Sequence, residues 1–153
     1  MKCFVEMEII LAMSEKKKVL VQISSQQESE NTSQQFHGEM QVRGNTRYVQ
    51  YVEEHQAPNQ GQVRTLLKIT DNTLKIIRHG SVESEQSFSA QQRLPGFYRS
   101  PYTSFNLSTV TDTIEISSHG DELTISWVYD LYVYEELNGH FINSLHIQEE
   151  AQI

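Results

Sequence analysis

The chain predicts an all-β fold, a closed antiparallel up-and-down meander barrel of about 8–10 strands. Three observations carry this. Past residue 18 no helical period of apolar residues is sustained, and short runs of β-branched and aromatic residues alternate with polar ones. Gly, Asn, Asp and Pro break these runs at short intervals, as tight turns require. An open sheet of that many strands would leave long edges that aggregate, and closure removes them.

The elements follow in order. Lys18–Ser25 (KVLVQISS) reads as the first strand and Gln26–Gln35 as a polar loop. Phe36–Val42 and Thr46–His55 read as the second and third strands, followed by a Pro/Asn/Gly loop. Val63–Thr70 and Thr73–Ile77 form a hairpin around Asp71-Asn72, with Ile69 opposite Leu74 and Leu67 opposite Ile76 on an inward face. Lys68 and Lys75 then meet on the outer face, where Glu53 or Glu54, or Glu83 or Glu85, must lie alongside to offset the repulsion. Val82–Ala90 is a strand, and Arg93–Tyr102 (RLPGFYRSPY) an irregular aromatic link. Ser104–Thr111, Thr113–Ser118, Leu123–Tyr134 and Phe141–Gln148 complete the barrel. In the last hairpin a three-residue loop at Leu137-Asn138-Gly139 keeps the apolar faces together, setting Leu131 opposite Leu145 and Tyr129 opposite Ile147.

The barrel occupies residues 18–150, behind an extension of residues 1–17 that is frayed or a short helix. Phe4–Met13, if ordered, would pack outside the barrel over Leu66 and Ile77. Glu6 and Glu8 interrupt any signal-peptide core, and nothing approaches the ~20 apolar residues of a membrane span. Met13 offers a second start of translation. The single Cys3 cannot form an internal disulfide, so a cytoplasmic location is expected. The net charge is −8, and all 12 Lys and Arg residues lie at or before Arg99. The segment from Ser100 onward carries nine acids and no Lys or Arg. No dense cationic face suits nucleic acid.

Chemical motifs are scarce. There is no P-loop, GxGxxG, GxSxG, HExxH or CxxC, so neither a cofactor nor a metal is expected. His140 and His146 are six residues apart on one strand, roughly 20 Å at strand rise, too far to share a zinc ion. Arg78 has three readings: an internal pair with a carboxylate, a ligand contact, or a solvated rim position.

One series of residues is distinctive. Tyr48, Tyr51 and Glu53 in YVQYVEE are followed by Gly61, LLKI with Lys68, and Arg78-x-Gly80. Phe88, the YRSPY of Tyr98–Tyr102, and Tyr129-x-Leu131 come next. From Gly44 to about Ile147 this series resembles the YwiB-like family of small bacterial β-barrel proteins. Thr103 stands where that pattern usually has glycine, so the turn there departs from it. The resemblance implies a calycin fold, similar to lipocalins, and no established activity or catalytic residue.

Two functions lead, and an enzyme is a third, weaker reading, because many chemistries need no recognisable motif. The first is a non-enzymatic barrel binding a small, partly apolar molecule, with an anionic one included. Trp127, Tyr129 and Leu131 would form its apolar wall, and Arg78, Tyr98 and Tyr102 would address a polar head. Tyr48, Glu53 and Thr65 complete the candidate set. The second is a solid barrel acting through its surface as a protein-interaction module, with the acidic last third as the partner-facing side.

Overall fold

The computed structural model describes residues 16–54 and 61–151. Among these, ten strands form and no helix: β1 (Lys17–Gln27), β2 (Glu30–Arg43), β3 (Thr46–Glu54), β4 (Gln62–Ile69), β5 (Thr73–Gly80), β6 (Glu83–Ser89), β7 (Arg93–Arg99), β8 (Ser104–His119), β9 (Glu122–Val133) and β10 (Glu136–Glu149). Each pairs antiparallel with its sequence neighbours, and β1 joins β10 to close the barrel. Phe4–Met13, expected over Leu66 and Ile77, lies outside the described residues.

Side-chain alternation sorts the sequence onto two faces. Val19 and Val21 of β1, Val49 of β3, Leu67 and Ile69 of β4, Leu74 of β5, Phe88 of β6, Ile125 and Trp127 of β9, and Leu145 and Ile147 of β10 all point inward. None of these is more than 1% exposed. Their strands pair in matching register: Ile69 faces Leu74, Leu67 faces Ile76, and Lys68 faces Lys75. Lys75 then bonds Glu85 on the next strand at 2.5 Å.

Several elements differ from expectation, each for a local reason. Gln26–Gln35 is a continuation of the β1–β2 hairpin, paired out to Gln27 and Glu30 around a turn at Glu28, φ 53°. Both faces there are largely wet, so no apolar alternation marks it; a Ser24–Ser33 hydroxyl bond of 3.4 Å bridges the two strands. Arg93–Arg99 is strand β7 although it contains Pro95 and Gly96. The β6–β7 ladder stops at Glu85 and Phe97, so Pro95 faces no hydrogen-bonding position on that side. A Cβ on Gly96 would lie 2.2 Å from the Glu85 carbonyl oxygen, so only glycine allows the strands to cross there.

The expected strands Ser104–Thr111 and Thr113–Ser118 are one strand, β8, bulged between Thr111 and Thr113. The last hairpin turns earlier than its Asn-Gly suggests. Tyr134 and Glu135 occupy the turn with φ 52° and 66°, and a bulge between Leu137 and Gly139 restores the faces. Leu131 therefore faces Gly139 and Tyr129 faces Phe141, instead of Leu145 and Ile147.

The barrel has two unlike ends. The lower end carries the turns at 44–45, 71–72, 90–92 and 120–121; the upper end carries those at 28–29, 81–82, 100–103 and 134–135.

Candidate functional site

On three strands the inward-facing residues grow more exposed toward the upper end, whereas on β4 Val63 stays fully buried there and on β8 the half-buried Ile114 and Ile116 lie toward the lower end. On β5 the series runs from buried Leu74 to half-buried Ile76 and then Arg78. On β1 it runs from buried Val19 and Val21 to half-buried Ile23; on β9, from Trp127 and Tyr129 to half-buried Leu131. Phe36 of β2 and Phe141 of β10 are likewise only partly buried against the core. These side chains face inward in the upper half and pack only partly buried against the core.

A polar group occupies one inner wall of that half. Register sets Tyr51 opposite Thr65, Thr65 opposite Arg78, and Arg78 opposite Ser84, with Glu53 two residues beyond Tyr51 on the same face. Glu53 Oε2 accepts from Thr65 Oγ1 at 2.5 Å and from Arg78 Nε at 3.0 Å. Glu53 Oε1 accepts from Arg78 Nη2 at 3.3 Å. This fork resolves Arg78 as an internal pair. Side-chain exposures of 28% for Arg78 and 17% for Glu53 leave it partly open to solvent. The forked bonds occupy two of the guanidinium's five N–H donors.

Burial, reinforced by the nearby Glu53 charge, pushes the Tyr51 phenol well above its ordinary value, against the opposing pull of Arg78 and a Thr65 hydrogen bond. Tyr51 is therefore a neutral hydroxyl at any physiological pH. Its ring stacks on Phe36, centroids 4.5 Å apart. Below, Tyr129 stacks on Phe141 at 5.1 Å and meets the edge of Phe88 at 4.7 Å. Burial pushes the Tyr129 phenol up to about 12, with a bond to Asn143 opposing. Trp127 sits beneath this layer, 5.6 Å from Phe88.

The expected site residues thus fall into three groups. Glu53, Thr65 and Arg78 come together on the wall, with Tyr98 on the same inward row, opposite Ser84 and stacked on Phe105 at 5.2 Å. Trp127 and Tyr129 are buried in the middle of the barrel rather than on that wall. Tyr48 and Tyr102 do not join them. Tyr48 is one residue out of phase with Val49 and Tyr51, and packs on the outer face with Leu66 and Ile77. Tyr102 is 96% exposed at a corner of the turn closed by Ser100 N–H donating to the Thr103 carbonyl at 2.8 Å. Tyr51, Phe36, Ile76 and Phe141 were missed as site residues; the inward alternation of Val49, Tyr51 and Glu53 was the signal for the first.

Concavities of about 620 and 760 Å³ also lie on the outer wall, the first between Lys18, His37 and Arg64, the second between Arg93, Tyr132 and Tyr134. Among the described residues, no three His, Cys, Asp or Glu side chains form a group able to hold a metal. No helix there is long and apolar enough to cross a membrane.

A closed ten-strand antiparallel barrel with a polar patch on one inner wall defines the class. Residues 18–147 match the family described as "Domain of unknown function (DUF1934)", and the chain belongs to that family. It is 28% identical over 95 residues to the "Uncharacterized beta-barrel protein YwiB" of Bacillus subtilis (strain 168), so the resemblance to the YwiB-like family holds. That match spans 62% of this chain and 65% of the length of the relative. The crystal structure of the ywiB protein from Bacillus subtilis superimposes with a TM-score of 0.76 at 21% identity, covering 94% of this chain and 99% of that one. At that identity the likeness speaks for the fold alone.

Proposed function

We propose that the barrel is a non-enzymatic receptor for one small, partly apolar molecule held in the upper half of its interior. The observation carrying this reading is the partial exposure of Ile23, Phe36, Ile76, Leu131 and Phe141, all inward-facing, above a floor that is fully buried. Apolar side chains lining the inside of a barrel and still open to water are surface that a ligand gains by covering. The polar group of the ligand would meet Arg78, Thr65 and Glu53. Because Glu53 already neutralises Arg78, a neutral or zwitterionic head suits this wall better than an anionic one.

The test is a panel of medium-chain alcohols, amides, zwitterions and carboxylates, followed by Trp127 fluorescence and thermal unfolding. Saturable emission changes with a raised Tm are expected, strongest for uncharged and zwitterionic heads. Ile76→Trp should abolish the response by filling the space a ligand would take while leaving the unligated Tm within a few degrees. A panel with no response in either readout would overturn the reading.

A further inference from the structure

The barrel is closed in its middle, yet one strand runs past its partner. β8 pairs with β7 only from Ser104 to Val110, and the Gln92–Thr111 backbone bond marks the end of that ladder. Residues 113–119 continue beyond the bulge, paired on one side with β9. On the other side no backbone partner is found among the described residues. The second loose stretch in the barrel, on β6 beyond Glu85, is handled differently: Thr109 Oγ1 donates to the Ser87 carbonyl at 2.5 Å and covers it. On β8, Gln91 Nε2 donates to the Asp112 carbonyl at 2.9 Å and to Asp112 Oδ1 at 3.2 Å where the edge begins, and from Thr113 onward no such cover is found among the described residues. Its side chains alternate, Ile114 and Ile116 half-buried and facing inward, Thr113, Glu115 and Ser117 exposed.

We propose that this edge is a docking strand that takes an extended, lysine- or arginine-bearing segment of a partner protein by strand addition. An unpaired row of N–H and C=O groups is a template for one more strand, and the main chain supplies the affinity. The alternation sets the side-chain requirement: apolar residues beside Ile114 and Ile116, polar ones on the outer face. Charge chooses the partner. Asp112, Glu115, Asp121 and Glu122 flank the edge within a segment that has no Lys or Arg after Arg99. The neighbouring cation is Arg47, which crosses from β3 to donate to Ser118 Oγ at 3.4 Å. A basic strand meets these acids, whereas a second copy of this chain would bring its own acids against them.

The experiment uses the full chain and three labelled peptides of about nine residues, long enough to span the edge at ~3.4 Å per residue. One alternates valine with lysine, one valine with glutamate, and the third is the lysine peptide N-methylated at every second residue. Fluorescence anisotropy should show saturable binding of the lysine peptide and none of the other two. Glu115→Lys should weaken that binding about tenfold with an unchanged Tm, because Glu115 is a wet side chain making no core contact. The proposal is overturned if the lysine peptide fails to bind, if N-methylation leaves binding intact, if the glutamate peptide binds equally, or if sedimentation shows the edge already paired in a homodimer.

Discussion

The two ends of this barrel are made from the same strands and the same alternation, yet several inward side chains differ in exposure between them. At the lower end Ile69, Leu74, Ile125 and Ile147 have almost no exposed surface. At the upper end Ile76, Ile23, Leu131 and Phe141 stay partly wet in the half that holds an ion pair. Alternation places a side chain inside but does not set how far it is buried: the aromatic layer of Phe88 and Tyr129, with Trp127 beneath it, is packed in the middle, and several inward residues above it keep partial exposure.

The sharpest way to break this contrast is truncation at matched positions. Ile69→Ala at the lower end should cost about 3 kcal/mol in urea unfolding, by transfer and cavity terms together. Ile76→Ala, two residues above Leu74 (the register partner of Ile69) on the same inward face, should cost less than half of that, since its side chain is only partly buried. Equal losses would show that the upper end is packed as tightly as the lower.

The charged wall gives the next effect. Glu53→Leu leaves the Arg78 guanidinium without its carboxylate and should cost about 2 kcal/mol, below the range for fully buried pairs because both groups touch solvent. Adding Arg78→Met should recover much of the loss, as measured by a double-mutant cycle.

Alkali probes the two buried tyrosines, Tyr51 and Tyr129. Tyr51 and Tyr129 titrate above the unfolded value of 10 in the fold. Above pH 10 the unfolded chain releases their protons while the native state holds them, so stability falls as pH rises. The slope should approach about 1.4 kcal/mol per pH unit for each tyrosine, up to pH 12 for Tyr129. Tyr129→Phe should flatten it. The smallest effect belongs to Tyr102→Ala, expected within about 0.5 kcal/mol of the parent, because that ring stands in solvent.

Much of the fold was legible in the residues. The closed antiparallel barrel followed from alternation and turn spacing, and the Asp71-Asn72 hairpin follows the register its apolar faces demand. The hidden elements were those where local signals misdirect. Pro95-Gly96 reads as a turn but serves a crossing with Glu85, and Leu137-Asn138-Gly139 reads as a loop while the chain reverses at Tyr134-Glu135. The site was half legible. Extending the alternation from Leu74 and Ile76 puts Arg78 inside, opposite Thr65, but which carboxylate would meet it depends on register between β3 and β4 across a long connection. Tyr48 was one residue out of phase, and a one-residue error on a strand moves a side chain through the wall.

Methyl NMR during titration with a medium-chain zwitterion or amide tests the contrast between the ends most directly. The account predicts saturable shifts at Ile23, Ile76 and Leu131, with Ile69, Leu74, Ile125 and Ile147 unmoved. Shifts spread evenly over both sets, or confined to the outer wall around Leu66 and Ile77, would contradict it.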